Sequence, residues 1–335
     1  MRSCIRLARN EAQRGPVALM RRPGRGDSEG FGGENLKTIV YLCYGAGDHV
    51  LQARFSIASM MRFRSLARAG VQTVVYTDDP SAFEGLDVRL QVLSQETLHA
   101  WLGGGDYIHR RKTMSLIDAL ERFGGSAAFI DSDTYFLKSP ARLFDRFGPG
   151  RACLHVNEGT IIETGSIYDA ELGRLLKLGS FTDLSGVPLS FIANPPMWNS
   201  GVIGLHADQI DLLREAVHLT DQIWKLATPF EPYGERVHHA EQFATAFFLQ
   251  TLPLRECIDV VYHYWLLELR APFKPYLSAN VCTTDVAFDR SRARSLYANR
   301  PREALAPRLK NRAKMVLRRV LRQAGLTAPG FRRSA

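Results

Sequence analysis

Short apolar, β-branched runs that break off at glycine or aspartate, and that alternate with helical spacing, constrain the fold of this chain more than any other feature. Residues 38–44 read Thr-Ile-Val-Tyr-Leu-Cys-Tyr and run into Gly45-Ala46-Gly47-Asp48, the pattern of a buried strand ending in a glycine loop. Residues 50–69 follow with helical spacing (Leu51, Phe55, Ala58, Met61, Leu66) and stop at Gly70. Residues 71–76 predict a second strand ending in Thr77-Asp78-Asp79-Pro80, and residues 88–93 a weaker third. Residues 113–123 predict a helix closed by Gly124-Gly125, and residues 127–130 a fourth strand running into Asp131-Ser132-Asp133. Such alternation predicts an α/β fold with a mainly parallel central sheet and flanking helices. Sheets of this kind bind ligands beyond the carboxyl ends of their strands, where Gly45, Asp78, Asp131 and Asp133 fall. Beyond residue 140 the alternation becomes irregular. Residues 202–205 predict a strand after Trp198-Asn199-Ser200-Gly201, Ile210–Leu226 and Ala240–Leu249 predict helices, and residues 260–264 predict a late strand carrying His263.

The 335 residues carry a net charge of +9, but the charge is segregated. Residues 1–37 hold 8 basic and 4 acidic side chains, and residues 291–335 hold 13 and 1, which leaves 22 and 29 for residues 38–290. The middle is thus acidic (−7) and a poor nucleic-acid binder, so no nucleic-acid partner is expected. Three parts are expected: a basic, Gly/Pro/Arg-rich and disordered segment over 1–37, a folded domain over 38–290, and a basic tail over 291–335. In the tail, Leu309, Ala313, Val316, Leu317, Val320 and Leu321 recur at helical spacing among arginines and lysines over 308–324. That amphipathic helix suits an anionic membrane surface, or the protein's own acidic core. No apolar run is long enough to cross a membrane and the N-terminus lacks the apolar block of a secretory signal. Five scattered cysteines (Cys4, Cys43, Cys153, Cys257, Cys282) without a CxxC read as reduced thiols. A cytoplasmic protein, peripheral on the membrane at most, is the expectation.

The sharpest chemical feature is Phe129-Ile130-Asp131-Ser132-Asp133-Thr134. An apolar strand delivers two carboxylates two residues apart, and on a strand such residues share a side. Paired carboxylates make a hard oxygen site for Mg²⁺ or Mn²⁺; the plain alternative is a polar turn at a strand end. His263 is either an imidazole ligand, which Mn²⁺ accepts more readily than Mg²⁺, or a histidine satisfied among Tyr262, Tyr264 and Trp265. Arg110, Arg111 and Lys112, just before a helix, form either a phosphate contact or a solvated face. Asp78, Asn199-Ser200-Gly201 (a loop stiffened by Pro195-Pro196) and Glu241 each have a similar plain reading, as turns or a surface acid. His238 and His239 carry no assignment.

The order Phe-Ile-Asp-Ser-Asp-Thr, then Trp198-Asn199-Ser200-Gly201-Val202, then Glu241-Gln242, then His263, resembles the GT-A fold glycosyltransferases over residues 38–276. Family eight, the glycogenin and lipopolysaccharide-galactosyltransferase group, is the nearest match of pattern. The resemblance implies a hexosyltransferase that takes a nucleotide-diphosphate sugar, with UDP as the usual nucleotide, and transfers it with retention to a glycan or glycolipid acceptor. It implies a role in cell-surface polysaccharide synthesis. It also implies Mn²⁺ (or Mg²⁺) on Asp131, Asp133 and His263. Gly45, Asp78, Arg111, Lys112, Asp131, Asn199, Ser200 and Gly201 would then bind the donor, and Glu241 and Gln242 would lie at the reacting carbon. Phe243 stands where the family has an acidic residue, and Lys274-Pro275 follows His263 later than the family's Lys-Pro. Phe243 motivates the alternative of a non-catalytic nucleotide-sugar binder or scaffold of the same fold. An aspartyl phosphotransfer enzyme fits the spacing after Asp133 poorly.

Overall fold

A computed structural model describes residues 36–63, 70–228, 237–281 and 289–301, with the single positions Ala313, Leu317 and Val320. Its strands are β1 (Lys37–Leu42), β2 (Val71–Thr77), β3 (Arg89–Val92), β4 (Ser126–Ile130), β5 (Thr134–Phe136), β6 (Ala152–Thr160), β7 (Pro196–His206), β8 (Leu254–Glu256) and β9 (Val261–His263). Its helices are α1 (Asp48–Met61), α2 (Gln95–Ala100), α3 (Arg110–Phe123), α4 (Ala141–Phe144), α5 (Ile161–Thr164), α6 (Ile167–Leu178), α7 (Ile210–Leu226), α8 (Ala240–Leu249), α9 (Leu267–Arg270), α10 (Phe273–Asn280) and α11 (Arg290–Ala298). Seven strands form one sheet in the order β3-β2-β1-β4-β7-β6-β8, parallel except for β7, which runs against both β4 and β6. The expected α/β architecture, with a mainly parallel sheet and flanking helices, is therefore what the chain adopts.

Both faces of the sheet are covered, which is why its strands read as continuous apolar runs rather than alternating ones. Val40, Val74, Ala127 and Phe129 face Leu116, Leu120, Leu213 and Leu249 of α3, α7 and α8. Ile39, Tyr41, Val75 and Ile130 face Ala53, Ile57 and Met60 of α1 on the other side. The chain moves from β1 outward to β2 and β3, then returns to place β4 on the other side of β1. That reversal opens a crevice at the carboxyl ends of β1 and β4.

Several expectations are corrected. The helix expected over 50–69 runs to Met61, with Arg62 as its C-terminal cap donating to the carbonyls of Phe136 and Leu137 and stacking on Tyr297; residues 64–69 of that expectation lie outside the described residues. Arg110, Arg111 and Lys112 do not precede α3 but form its first turn. Asn199, Ser200 and Gly201 are not a loop: they lie inside the eleven-residue strand β7, which Pro196 opens. The late strand expected over 260–264 forms as β9 and lies in a separate two-stranded sheet, antiparallel to β5. The irregular stretch after residue 140 hides β6, whose polar His155, Asn157 and Glu158 and whose register shifts against β7 break the apolar pattern. Helix α11, at the start of the expected tail, packs against α1 and buries Ala293 and Leu296, the latter in an aromatic cluster with Phe55, Tyr135 and Phe273.

The expectations for residues 1–35, and most of that for the tail helix over 308–324, lie outside the described residues. Among the described residues no helix is long and apolar enough to cross a membrane. Cys43, Cys153 and Cys257 are free and buried.

Candidate functional site

The two aspartates converge through a turn, not through strand alternation. Strand β4 stops at Ile130, and residues 131–133 bend before β5 begins at Thr134. Buried hydroxyls fix the bend. Tyr41 Oη contacts Ser56 Oγ at 2.8 Å, Ser56 Oγ contacts Thr134 Oγ1 at 2.7 Å, and Thr134 Oγ1 donates to the Asp131 carbonyl at 2.9 Å. The backbone locks it from both sides: Asp131 N–H donates to the Gly201 carbonyl at 2.9 Å, and Tyr264 N–H donates to the Asp133 carbonyl at 3.0 Å.

The pairing of β5 with β9 sets His263 opposite Thr134, beside the bend. His263 Nε2 lies 3.0 Å from Asp133 Oδ1 and 3.7 Å from Asp131 Oδ2. One donor atom from each of Asp131, Asp133 and His263 falls within 4.8 Å of the others. Two carboxylate oxygens and an imidazole nitrogen fit a divalent cation with mixed oxygen and nitrogen ligands.

The far side of His263 is fixed as carefully. Asn199 Oδ1 accepts the Gly201 N–H at 3.0 Å and faces His263 Nδ1 at 2.9 Å, while Asn199 Nδ2 donates to Glu158 Oε1 at 3.3 Å. Because Gly201 N–H needs an acceptor, that atom of Asn199 is the oxygen, so His263 Nδ1 carries the proton it shares with it. Nε2 is then the nitrogen turned to the aspartates. Gly201 is required here: a Cβ would stand 2.1 Å from His263 Nδ1.

Two cations flank the acids. Lys112 Nζ, buried under α3, donates to Asp131 Oδ2 (3.1 Å), to the Ser200 carbonyl (2.9 Å) and to Ser200 Oγ (3.1 Å), and lies 3.8 Å from Glu241 Oε2. Burial works against its charge, but the Asp131 and Glu241 carboxylates outweigh burial and hold the ammonium above its ordinary range. Arg270 sits across Asp133 Oδ2 with Nε at 2.9 Å and its Nη2 closer still. Burial alone would raise the Asp133 carboxyl, yet His263 and then Arg270 hold it well below the usual carboxylate range. Glu241 is not a surface acid. It is buried, accepts from Ser200 Oγ at 3.1 Å and Thr245 Oγ1 at 3.2 Å, and burial pushes its carboxyl up.

The remaining site residues of the sequence reading divide into two groups. Gln242 joins the cluster: its Nε2 donates to Glu158 Oε2 at 3.2 Å and its Oε1 faces the Ser200 N–H at 3.5 Å. Gly45 and Asp78 meet separately, at the carboxyl ends of β1 and β2, where both Asp78 oxygens accept the Gly45 N–H (2.9 and 3.1 Å). Arg111 belongs with them, its guanidinium 4.7 Å above the Tyr44 ring and its Nε bound to the Leu98 carbonyl. Arg110 turns away to Asp221. Lys274 pairs with Asp48 at 3.0 Å. Phe243 is core, packed among Phe191 and Phe247.

Sequence reasoning missed Glu158 and Arg270. The only signal for Glu158 was a polar interruption in a strand that went unread; Arg270 lies seven residues after His263, where nothing in the local pattern marks it.

No family model matches this chain, and no curated protein does. Among the solved structures that match is the apo form of mouse xyloside xylosyltransferase 1, with 11% identity over 66% of this chain and 85% of that one, at a TM-score of 0.39.

Proposed function

We propose that this chain is a metal-dependent glycosyltransferase of the GT-A type that moves a sugar from a nucleotide-diphosphate donor to a glycan or lipid-linked acceptor. The observation that carries the reading is the convergence of Asp131, Asp133 and His263 at the carboxyl edge of a parallel sheet, where its strand order reverses. Those three residues would hold Mn²⁺ or Mg²⁺. A divalent ion there supplies neutralisation of the charge that gathers on a departing diphosphate.

The chain's own groups do the rest. Asn199 keeps His263 Nε2 turned inward, and Arg270 holds one Asp133 oxygen so that the other faces the imidazole. Lys112 steadies Asp131 and brings a permanent positive charge to the floor of the crevice. Asp78 ties down the Gly45 loop, and this loop, with Tyr44 and Arg111, walls the part of the crevice suited to a base and ribose. Gln242 and Ser200, with Glu241 beneath them, line the sugar side. UDP as nucleotide, a hexose as the sugar and retention at the anomeric carbon follow from the family-eight resemblance, and docking of the tail on an anionic membrane from the basic amphipathic pattern of residues 308–324.

The test is donor hydrolysis and transfer with a panel of nucleotide sugars and Mn²⁺. Asp131→Ala and Asp133→Ala, folded as judged by circular dichroism, are expected to lose at least about 100-fold in kcat, because a lost ligand takes with it the charge stabilisation of the leaving group. Unchanged turnover in either variant would remove the metal role.

One observation favours a second reading. Lys112 and Arg270 already balance the charges of Asp131 and Asp133. A binder that holds a nucleotide sugar without turning it over needs no more than that. Titration calorimetry with UDP, with and without Mn²⁺, beside the hydrolysis assay separates the two: binding with no turnover across the panel favours the binder.

A further inference from the structure

At the other end of β6 the chain builds a second charged feature, unrelated to the aspartates. A cavity of about 550 Å³ is lined by Lys138, Arg142, Asp145, Arg146, Arg151 and Arg255. Five cations and one carboxylate thus surround one space, in a segment of the chain (residues 38–290) whose net charge is −7. Internal pairing neutralises only part of it. Asp259 accepts from Lys138 at 2.7 Å and from Arg146 at 2.8 Å, and Asp145 lies 3.5 Å from Arg142. Among the described residues Arg151 and Arg255 have no carboxylate within ion-pair distance, so the lining keeps an excess of about three positive charges at neutral pH.

The fold holds these cations together. Arg151 immediately precedes β6, and Arg255 lies on the neighbouring edge strand β8, paired with Cys153. Lys138 follows β5, and Arg142 and Arg146 lie on and just after α4. Like charges gathered on a rigid scaffold repel one another, and a bound anion relieves that repulsion. Arginine forks match the oxygens of a tetrahedral anion two at a time, a geometry that a single chloride does not offer. The site is remote from the aspartates. β6 has nine residues, so Arg151 and Glu158 stand at opposite ends of a strand roughly 25 Å long.

We infer that this cavity is an anion site that takes a phosphate-bearing ligand, with Arg151 and Arg255 as its unpaired cations. The ligand is either a soluble phosphate compound or a phospholipid headgroup, and the experiment separates them. The full chain is titrated with inorganic pyrophosphate, without divalent metal, by calorimetry. In parallel it is floated with phosphatidylcholine vesicles, with and without 30% (about one lipid in three) phosphatidylglycerol, chosen to raise surface charge.

The variants are Arg151→Glu and Arg255→Glu, with Arg255→Lys as a charge-preserving control and Asp133→Asn as a control at the other site. Melting temperature is read for each. Pyrophosphate binding that falls at least 10-fold in both charge reversals, and persists in Arg255→Lys and Asp133→Asn, establishes the site with a soluble ligand. Vesicle binding that requires phosphatidylglycerol and falls in the same two variants establishes it with a headgroup. Binding of both probes unchanged by Arg151→Glu and Arg255→Glu overturns the inference. So does pyrophosphate binding that only Asp133→Asn removes, and so does the absence of binding to either probe.

Discussion

Asn199 decides which nitrogen of His263 faces the two acids, and that choice separates a ligand from a bystander. Its carboxamide is spent on three partners at once, Gly201 N–H, His263 Nδ1 and Glu158. Residues that orient a ligating imidazole in this way change metal affinity by about 10- to 100-fold when removed. Asn199→Ala should therefore weaken Mn²⁺ binding by about that factor with little change in far-UV circular dichroism; unaltered affinity would mean that His263 is not a ligand. Gly201→Ala should act in the same direction by a different route, since its methyl would meet the imidazole itself. His239 gives a pH prediction of definite sign. Burial lowers its affinity for a proton, but the hydrogen bond to Asp169 (2.6 Å) and that carboxylate's charge outweigh burial and raise it above the ordinary histidine value. A folded-state pKa above the unfolded one means that the pair stabilises the fold fully below about pH 6.5 and loses that contribution as pH rises through the folded value. In a nuclear magnetic resonance titration His239 should change state above 6.5, and Asp169→Asn should bring it down; a midpoint below 6.5 in the native chain would contradict this. At this scale the sequence made Asp131, Asp133 and His263 legible because their chemistry is unusual for their surroundings. It hid the partners: Asn199 read as a sugar contact and Arg270 as nothing, because an outer contact is defined by where the chain returns to, not by its neighbours in sequence.

Between elements, the site depends on α1 as a brace. Ser56 and Ser59 of this helix bond to Thr134 Oγ1 and to the Phe136 N–H, so α1 holds β5, and β5 holds β9 and His263. Phe55, one turn before Ser59 on the same face, meets Tyr135, Phe273 and Tyr276 at ring distances of 5.9 Å. Truncating such a ring in a closed core costs about 3–5 kcal/mol, so Phe55→Ala should lower the denaturant midpoint markedly. Thr134→Val should cost only about 1 kcal/mol but should also loosen the bend at Asp131, and so weaken metal binding out of proportion to its effect on stability. A Thr134→Val chain with full metal affinity would show that the bend needs no such brace. The elements that sequence made visible are the long, uniform ones: β1, β2, β4, α3, α7 and α8 carry enough consecutive apolar or periodic residues to declare themselves. Strand β5 has three residues and β6 is bulged and polar at its carboxyl end, so neither offers a period to read, whereas the equally short β9 showed itself as the apolar stretch that carries His263. The same polar break that concealed β6 places Glu158 beside Asn199.

Over the whole molecule, the two proposals assign the described surface two regions with different partners: a crevice for a cation and its anionic ligand, and a basic cavity for an anion alone. The sheet sets the first by its reversal of strand order and the second by the approach of β6 to β8 at its edge. If Asp131, Asp133 and His263 together hold one divalent ion, the electron paramagnetic resonance signal of free Mn²⁺, followed while Mn²⁺ is titrated into the full chain with UDP present, should stay suppressed until one equivalent has been added. Asp131→Asn, Asp133→Asn and His263→Ala should each restore it from the first addition. A wild-type signal that rises from the start, or suppression that survives all three substitutions, would contradict this assignment.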